Sequence, residues 1–145
     1  MVRYGILAGA LAVMATTTLA HTGVKDAQVL ARMEVMKRIG DATDALEDIA
    51  TGRVAFDAGA VAAARASLLA AGGETIAVFT PPADDPKSEA RRAIWDSFDR
   101  FEALTQDMIM ATDALDPTDS AAFAAQYSKI EATCVACHKA YRAKR

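Results

Sequence analysis

The 145-residue sequence predicts an all-α protein, arranged as an antiparallel four-helix bundle in a single domain. Apolar residues recur every three or four positions along four stretches, as on the buried face of a helix. No stretch sustains the alternation of a half-buried strand, and turn-forming residues separate the four stretches. Short connections favour antiparallel neighbours, and facing helices of such bundles commonly hold a cofactor.

The first twenty residues are expected to lie outside this bundle. Arg3 precedes an apolar run over residues 6–15, and the small-residue pattern Thr18-Leu19-Ala20 follows. This layout predicts a secretory signal peptide that is cleaved after Ala20. The apolar run is well short of the roughly 20 residues that a membrane span needs, and no later segment is expected to be apolar enough to cross a bilayer. Residues 21–145 would then form the mature protein, in the periplasm.

The charge is unevenly distributed. Without Arg3 the chain has 15 basic and 19 acidic side chains, a net charge of −4. Residues 129–145 nevertheless contain five basic side chains and one acidic side chain, Glu131. A basic patch suggests nucleic-acid binding, but such binding normally needs many phosphate contacts and a strongly basic domain. This protein is acidic overall, which argues against it. These cations suit a helix C-terminus, and docking of an acidic partner is the second interpretation.

The first two helices are predicted at residues 26–50 and 57–71. Thr51-Gly52 is expected to end the first helix and Gly72-Gly73 the second, which is rich in alanine. The residues that share one face of the first helix are Val29, Met33, Met36, Gly40 and Thr43.

The other two helices follow an irregular segment in which Pro81 and Pro82 exclude regular helix. The third helix is predicted at residues 88–115, and Asp116-Pro117 is expected to cap and begin the fourth. The third helix has a seam, meaning the residues on one face, of Ile94, Phe98, Phe101, Thr105, Met108, Thr112 and Leu115. The seam of the fourth is Phe123, Tyr127, Ile130, Cys134, Cys137 and Tyr141, so both cysteines are expected to point into the bundle.

The only two cysteines stand in the sequence Cys134-Val135-Ala136-Cys137-His138. This is the pattern of covalent c-type haem attachment. Residues three apart on a helix lie on one face, with β-carbons about 5–6 Å apart. That spacing suits thiol addition to two vinyl groups along one porphyrin edge, and the adjacent His138 would then bind the iron. The expected cofactor is one haem c.

Three other interpretations of these cysteines are weaker. A disulfide would close a very short loop and add little stability. A thioredoxin-like redox pair needs a βαβ context, which this sequence lacks. A structural zinc ion needs four ligands, and nothing beyond two Cys and one His is nearby.

The pattern Cys-x-x-Cys-His-x-x-Tyr-Arg, ending at Tyr141-Arg142 on the last helix of an exported all-α chain, resembles the cytochrome c′ family, the class II c-type cytochromes. Residues 32–40 are similar to the family's first-helix pattern, an arginine, three residues and then the residue that faces the distal side of the haem. Ile94-Trp95 is also similar to the family. The resemblance covers residues 21–145.

The resemblance assigns the distal position to Met36. High-spin members have a non-ligating apolar residue there, whereas in the low-spin subgroup a methionine completes the coordination opposite the histidine. Met36 and His138 are therefore the expected iron ligands, and Met/His ligation raises the reduction potential. The alternative is that Met36 only fills the core. Met33 is the reserve candidate for the iron ligand. By resemblance, Arg142 lies near the haem on its proximal side; otherwise it is a surface cation.

The expected function is that of a carrier of single electrons between periplasmic redox proteins, not an enzyme. The alternative is a five-coordinate, high-spin cytochrome c′ that binds small gases such as NO and CO. Peroxidase chemistry is not expected, because the other histidine, His21, lies at the predicted cleavage site and cannot act as a distal acid or base. Partner docking could use Lys37, Lys139, Lys144 or Arg145. The resemblance also allows a homodimer through the first two helices.

Overall fold

A computed structural model describes residues 23–144, which form five helices. They are α1 (Ala27–Ala50), α2 (Ala58–Phe79), α3 (Ala93–Asp96), α4 (Phe98–Asp113) and α5 (Phe123–Tyr141). The four long helices pack side by side, α1 along α2, α2 along α4 and α4 along α5, and α1 also contacts α5. The all-α prediction is confirmed. The predicted signal peptide, residues 1–20, lies outside the described residues.

The ends of α1 agree with the prediction. The Asp26 carboxylate accepts a hydrogen bond from the backbone N–H of Val29 at 2.9 Å, which satisfies one of the free donors at the helix start. At the other end, Gly52 has a φ of 73°, a conformation that favours glycine and stops the helix. Asp57 begins α2 in the same way as Asp26 begins α1, by accepting the N–H of Ala60 at 2.7 Å.

The predicted end of α2 at Gly72-Gly73 is wrong, since the helix continues to Phe79. Gly72 is buried where α2 meets α4, and a β-carbon there would lie 3.0 Å from Met108 Cε and 3.1 Å from Ile109 Cγ1. The glycine therefore serves close helix packing and not helix termination. The chain leaves the helix immediately before Pro81, where the missing N–H prevents continuation.

The third predicted helix is shorter than expected and broken. Residues 88–92 are not helical, and Ser97, with φ −144° and ψ 54°, separates α3 from α4. The preceding segment uses its backbone donors elsewhere. Asp85 accepts the N–H groups of Lys25 and Lys87, both at 2.9 Å, and the N–H of Arg91 donates to the Tyr141 carbonyl at 2.9 Å. These contacts hold the segment before α3 in an irregular conformation.

The predicted start of the fourth helix at Asp116-Pro117 is also wrong, because α5 begins at Phe123. The Asp116 carboxylate instead closes a turn by accepting the N–H of Thr118 at 2.8 Å and its hydroxyl at 2.7 Å. Asp119, further along, accepts the N–H of Ala122 at 3.0 Å. The aspartate before the proline thus stabilises the connection and not the helix.

Two apolar clusters form the core. The larger joins all four long helices around Leu46, Leu68 and Ile130. The smaller contains Phe79, Ile94, Phe101 and Tyr141. Met36 packs against both clusters, so it lies where they meet. All members of the two predicted C-terminal seams are buried or half-buried, which confirms those faces.

By length and composition, α2 is the only helix within residues 23–144 that is apolar enough to cross a membrane. The expectation that no segment after residue 20 would meet that criterion was wrong. Alanines supply much of this apolar character. Val61, Leu68 and Phe79 of this helix are buried in the core clusters, and Ile76 and Val78 are partly buried against them, as in a core helix of the bundle.

Candidate haem-binding site

A cavity of about 590 Å³ lies between α1, α4, α5 and the segment that precedes α3. This volume is within the roughly 300–1,000 Å³ typical of small-molecule sites. All five residues that the sequence predicted for the site line this one cavity: Met36, Cys134, Cys137, His138 and Arg142. Residues more than a hundred positions apart in the sequence are thus brought together.

Helix α5 contributes the two cysteines. Both are free thiols and half-buried, Cys134 against the larger core cluster and Cys137 against the smaller one. Burial raises the pKa of Cys134, and burial followed by the neighbouring Cys134 raises the pKa of Cys137 to about 11. Both side chains are therefore protonated thiols at neutral pH, and both face the same cavity.

His138 lies at the edge of the cavity. Its surface is exposed in part, yet desolvation at the cavity wall and then the charge of Arg142 lower the pKa of the imidazole, with Glu89 acting in the opposite direction. The ring is therefore neutral at pH 7. A neutral imidazole is the form that binds iron.

Helix α1 forms a second wall. Its contribution includes the five residues that were predicted to share a face, Val29, Met33, Met36, Gly40 and Thr43. The prediction that these residues share one face of the helix is confirmed, and that face lines the cavity. The residues of α1 that pack in the larger core cluster lie on the adjacent face and are Val35, Ile39, Ala42 and Leu46. Met36 is half-buried, and Met33 lies one turn before it.

Four threonines also line the cavity, and each hydroxyl donates within its own helix. Thr43 donates to the carbonyls of Ile39 and Gly40 at 3.0 and 2.9 Å. The others behave alike, with Thr75 bonded to Ala71 at 3.2 Å, Thr105 to Phe101 at 3.0 Å and Thr133 to Ile130 at 2.6 Å. The hydroxyl protons are thus directed at helix carbonyls and not at the cavity.

Arg142 lines the edge of the cavity beside His138, and its side chain is exposed. Its Nε donates to Glu89 Oε2 at 2.7 Å. The backbone reinforces this contact, since the N–H of Ala143 donates to the Glu89 carbonyl at 2.8 Å and Arg91 bonds to Tyr141. The end of α5 is thereby joined to the segment before α3.

Sequence reasoning missed the role of Arg32, which it used only as part of a family pattern. Arg32 lines the same cavity and is 2% exposed. The available signal was a single cation between Val29 and Val35 on the buried side of α1. Nothing local in the sequence identifies its partners, because they lie 46 to 51 residues away.

The residues present fit a covalently attached haem. Two free thiols three residues apart, a neutral imidazole and a thioether face one cavity. Much of the remaining wall is apolar and aromatic, as a porphyrin ring requires, and includes Ile94, Phe101, Leu104, Met108 and Tyr141.

Comparison with known proteins agrees with this site. The family described as Cytochrome C′ matches residues 27–142. Cytochrome c-556 from Agrobacterium tumefaciens (strain apple 185) is 36% identical over 122 residues, covering 79% of this chain and 94% of that protein. Cytochrome c′ from Rhodospirillum rubrum is 31% identical, covering 95% of this chain and 97% of that protein.

Solved structures share the fold. Cytochrome c′ from Rhodobacter sphaeroides superposes with a TM-score of 0.74 at 28% identity, covering 81% of this chain and 96% of that chain. The nitric oxide complex of a cytochrome c′ variant from Alcaligenes xylosoxidans gives 0.72 at 23% identity, covering 81% and 94%. The chain therefore belongs to the cytochrome c′ family of helical-bundle cytochromes that carry covalently bound haem c.

Proposed function

We propose that this protein is a periplasmic carrier of single electrons, with haem c attached through Cys134 and Cys137 and iron ligated by His138 and Met36. The observation that carries the proposal is that the Met36 thioether lines the same cavity as the cysteines and the histidine. The carrier takes one electron from a reduced partner and gives it to an oxidised partner. The names of the relatives are those of cytochromes, which agrees with a carrier.

The cysteines hold the cofactor in place. Each thiol would hold the haem by adding across one vinyl group, with the sulfur on one vinyl carbon and the thiol hydrogen on the other. This addition needs no outside oxidant or reductant. Because Cys134 and Cys137 lie on one helix face and have no disulfide between them, both remain available for it.

His138 and Met36 determine what the site can do. Bound haem supplies a reversible one-electron couple at its iron. The neutral imidazole of His138 and the thioether of Met36, which lines the cavity from α1, would be the two protein ligands of the iron. With two side chains holding the iron, no place for a substrate would be left at it, and the protein would have little to move when an electron arrives.

The second candidate function is gas binding at a five-coordinate iron. Nitric oxide is bound by the Alcaligenes xylosoxidans variant that shares this fold. In this alternative Met36 packs against both core clusters without binding iron. Ligation by Met36 thus distinguishes the two functions.

The test is the optical spectrum of the haem-loaded protein, oxidised and reduced with dithionite, with and without carbon monoxide. We expect sharp low-spin bands that scarcely change with the gas. Met36→Leu should become high-spin and bind carbon monoxide readily. Met33→Leu is the matched control, since Met33 lines the same cavity one turn away and should leave the spectrum unchanged.

Two results would reject ligation of the iron by Met36. A high-spin wild-type spectrum that responds at once to carbon monoxide would favour gas binding. A low-spin spectrum lost in Met33→Leu and kept in Met36→Leu would transfer the ligand role to Met33.

Export is part of the proposal. Mass spectrometry of the protein from a periplasmic fraction should give a chain that begins at His21 and carries one haem. A mature chain that retains residues 1–20 would contradict the predicted cleavage after Ala20.

A further inference from the structure

Arg32 is the least exposed charged side chain of residues 23–144, at 2% exposure. Its guanidinium donates to three backbone carbonyls, one in the last turn of α2 and two in the segment that follows it. Nε donates to Val78 and one terminal nitrogen to Ala83, both at 3.0 Å, and the other terminal nitrogen donates to Pro81. The cation is thus fixed from three directions.

Two aromatic rings complete its surroundings. The guanidinium carbon lies 5.3 Å from the ring centroid of Phe79 and 4.7 Å from that of Trp95, within the range of cation–π attraction. The Trp95 indole N–H also donates to the Phe79 carbonyl at 2.8 Å, which fixes the rings relative to each other. Arg32 therefore cannot turn out towards solvent without breaking several contacts.

The charge of Arg32 has no ion-pair partner. All three of its hydrogen-bond acceptors are neutral carbonyls, and no carboxylate within the described residues lies at ion-pair distance. Burial lowers the pKa of the guanidinium, and the charge of Asp26, which caps α1, raises it. An arginine nevertheless stays protonated at neutral pH.

This buried charge borders the haem cavity. Arg32 precedes Met36 by one turn of α1, about 6 Å along the helix axis. A positive charge away from water acts strongly over such distances, because little solvent screens it. When a partner donates one electron to the site, the net charge of the site falls by one, and a fixed cation nearby favours that change.

We infer that Arg32 is a fixed buried cation that raises the reduction potential of the haem. The inference depends on haem c in this cavity and not on ligation by Met36. It therefore holds whether the iron is six-coordinate or five-coordinate.

The test is spectroelectrochemical titration of the haem-loaded wild type and three variants. Arg32→Met removes the charge, and Arg32→Lys keeps the charge without the three-way contacts. Arg65→Met is the matched control. Arg65 also donates to carbonyls, those of Thr112 and Asp113, yet it is paired with the Asp113 carboxylate at 2.7 Å and lies outside the cavity wall.

We expect Arg32→Met to shift the potential to a more negative value, Arg32→Lys to shift it much less, and Arg65→Met to leave it unchanged. If Arg32→Met yields no haem-loaded protein, Arg32→Gln replaces it with the same expectation. An unchanged potential in the neutral variant would overturn the inference. Equal shifts in the Lys and neutral variants would overturn it too, because they would assign the effect to packing.

Limited trypsin digestion separates charge from loop structure by a measurement that does not depend on the haem. Lys87 and Arg91 lie just beyond the carbonyls that Arg32 binds. If the reduction potential falls only in variants that trypsin cleaves faster at these sites, and falls further the faster they are cleaved, the shift comes from the loosened segment. That result would contradict a role for the charge. A lowered potential at wild-type cleavage rates would support the charge.

Discussion

The hydroxyl of Tyr141, in the last turn of α5, lies 3.0 Å from Ser97 Oγ, at the break between α3 and α4. The Tyr141 ring also meets Phe101 edge-on, with centroids 5.6 Å apart. Ser97 Oγ in turn donates to the Ala93 carbonyl at 2.9 Å. The helix that carries the cysteines is thus connected to the one interruption in the third stretch.

Removing that hydroxyl should weaken the fold. We expect Tyr141→Phe to lower the free energy of unfolding by about 1 kcal/mol, the usual net value of one hydrogen bond. Urea unfolding of the haem-loaded protein measures it. Tyr127→Phe is the control at pH 7, since the Tyr127 hydroxyl has no hydrogen-bond partner among residues 23–144. A larger loss in Tyr127→Phe would contradict the assignment.

The adjacent glycines of α2 should respond in opposite ways to alanine. Gly72→Ala places a β-carbon 3.1 Å from Ile109 Cγ1, and overpacking of this kind costs about 1–3 kcal/mol. Gly73→Ala meets nothing within 4 Å and should stabilise the helix by about 0.5–1 kcal/mol. Thermal unfolding of both variants tests the pair, and equal shifts would show that the two helices do not approach closely at Gly72.

Asp85 should stabilise the protein against acid. The backbone N–H groups of Lys25 and then Lys87 hold the pKa of this carboxyl below its usual value. Its contribution is complete above about pH 3.9, the ordinary pKa of the unfolded chain, and is lost as the pH falls through the lower folded pKa. Asp85→Asn should therefore be less stable at pH 7 and lose less stability on acidification. Asp84→Asn, which removes the exposed carboxylate of the neighbouring residue, is the matched control.

Tyr127 should make stability depend on pH in alkaline solution. Burial, and then the charges of Glu47 and Glu131, raise the pKa of Tyr127 to about 12. Its contribution is complete below about pH 10, the unfolded value, and is lost as the pH rises towards 12. Tyr127→Phe should therefore lose less stability between pH 9 and 12, as followed by circular dichroism. An ultraviolet titration in which Tyr127 ionises at pH 10 would exclude this effect.

The parts of the molecule that the sequence predicted are those encoded by local spacing. Seams with steps of three and four identified the buried faces of α4 and α5. The five contiguous residues from Cys134 to His138 identified the cofactor chemistry without any knowledge of the fold. The shared face of α1 was predicted for the same reason, because its residues are regular in sequence.

The features that were missed depend on partners far away in the sequence. Gly72 continues α2 because α4 approaches it there. Residues 88–92 stay out of a helix because Arg91 bonds to Tyr141, fifty residues later. The contacts of Arg32 with Val78, Pro81 and Ala83 exist only once α1 and the end of α2 have packed together.

Under the proposed function, the back-bonded threonines of the cavity bear on the speed of electron transfer. When an electron arrives, any dipole free to rotate nearby must turn to its new preferred direction, and that turning is part of the barrier. The hydroxyls of Thr43, Thr75, Thr105 and Thr133 are already held by carbonyls of their own helices. Dipoles fixed in advance cost no reorganisation at the moment of reaction. In an electron carrier, side chains that are polar by composition would thus form a rigid wall and add little to the reorganisation energy.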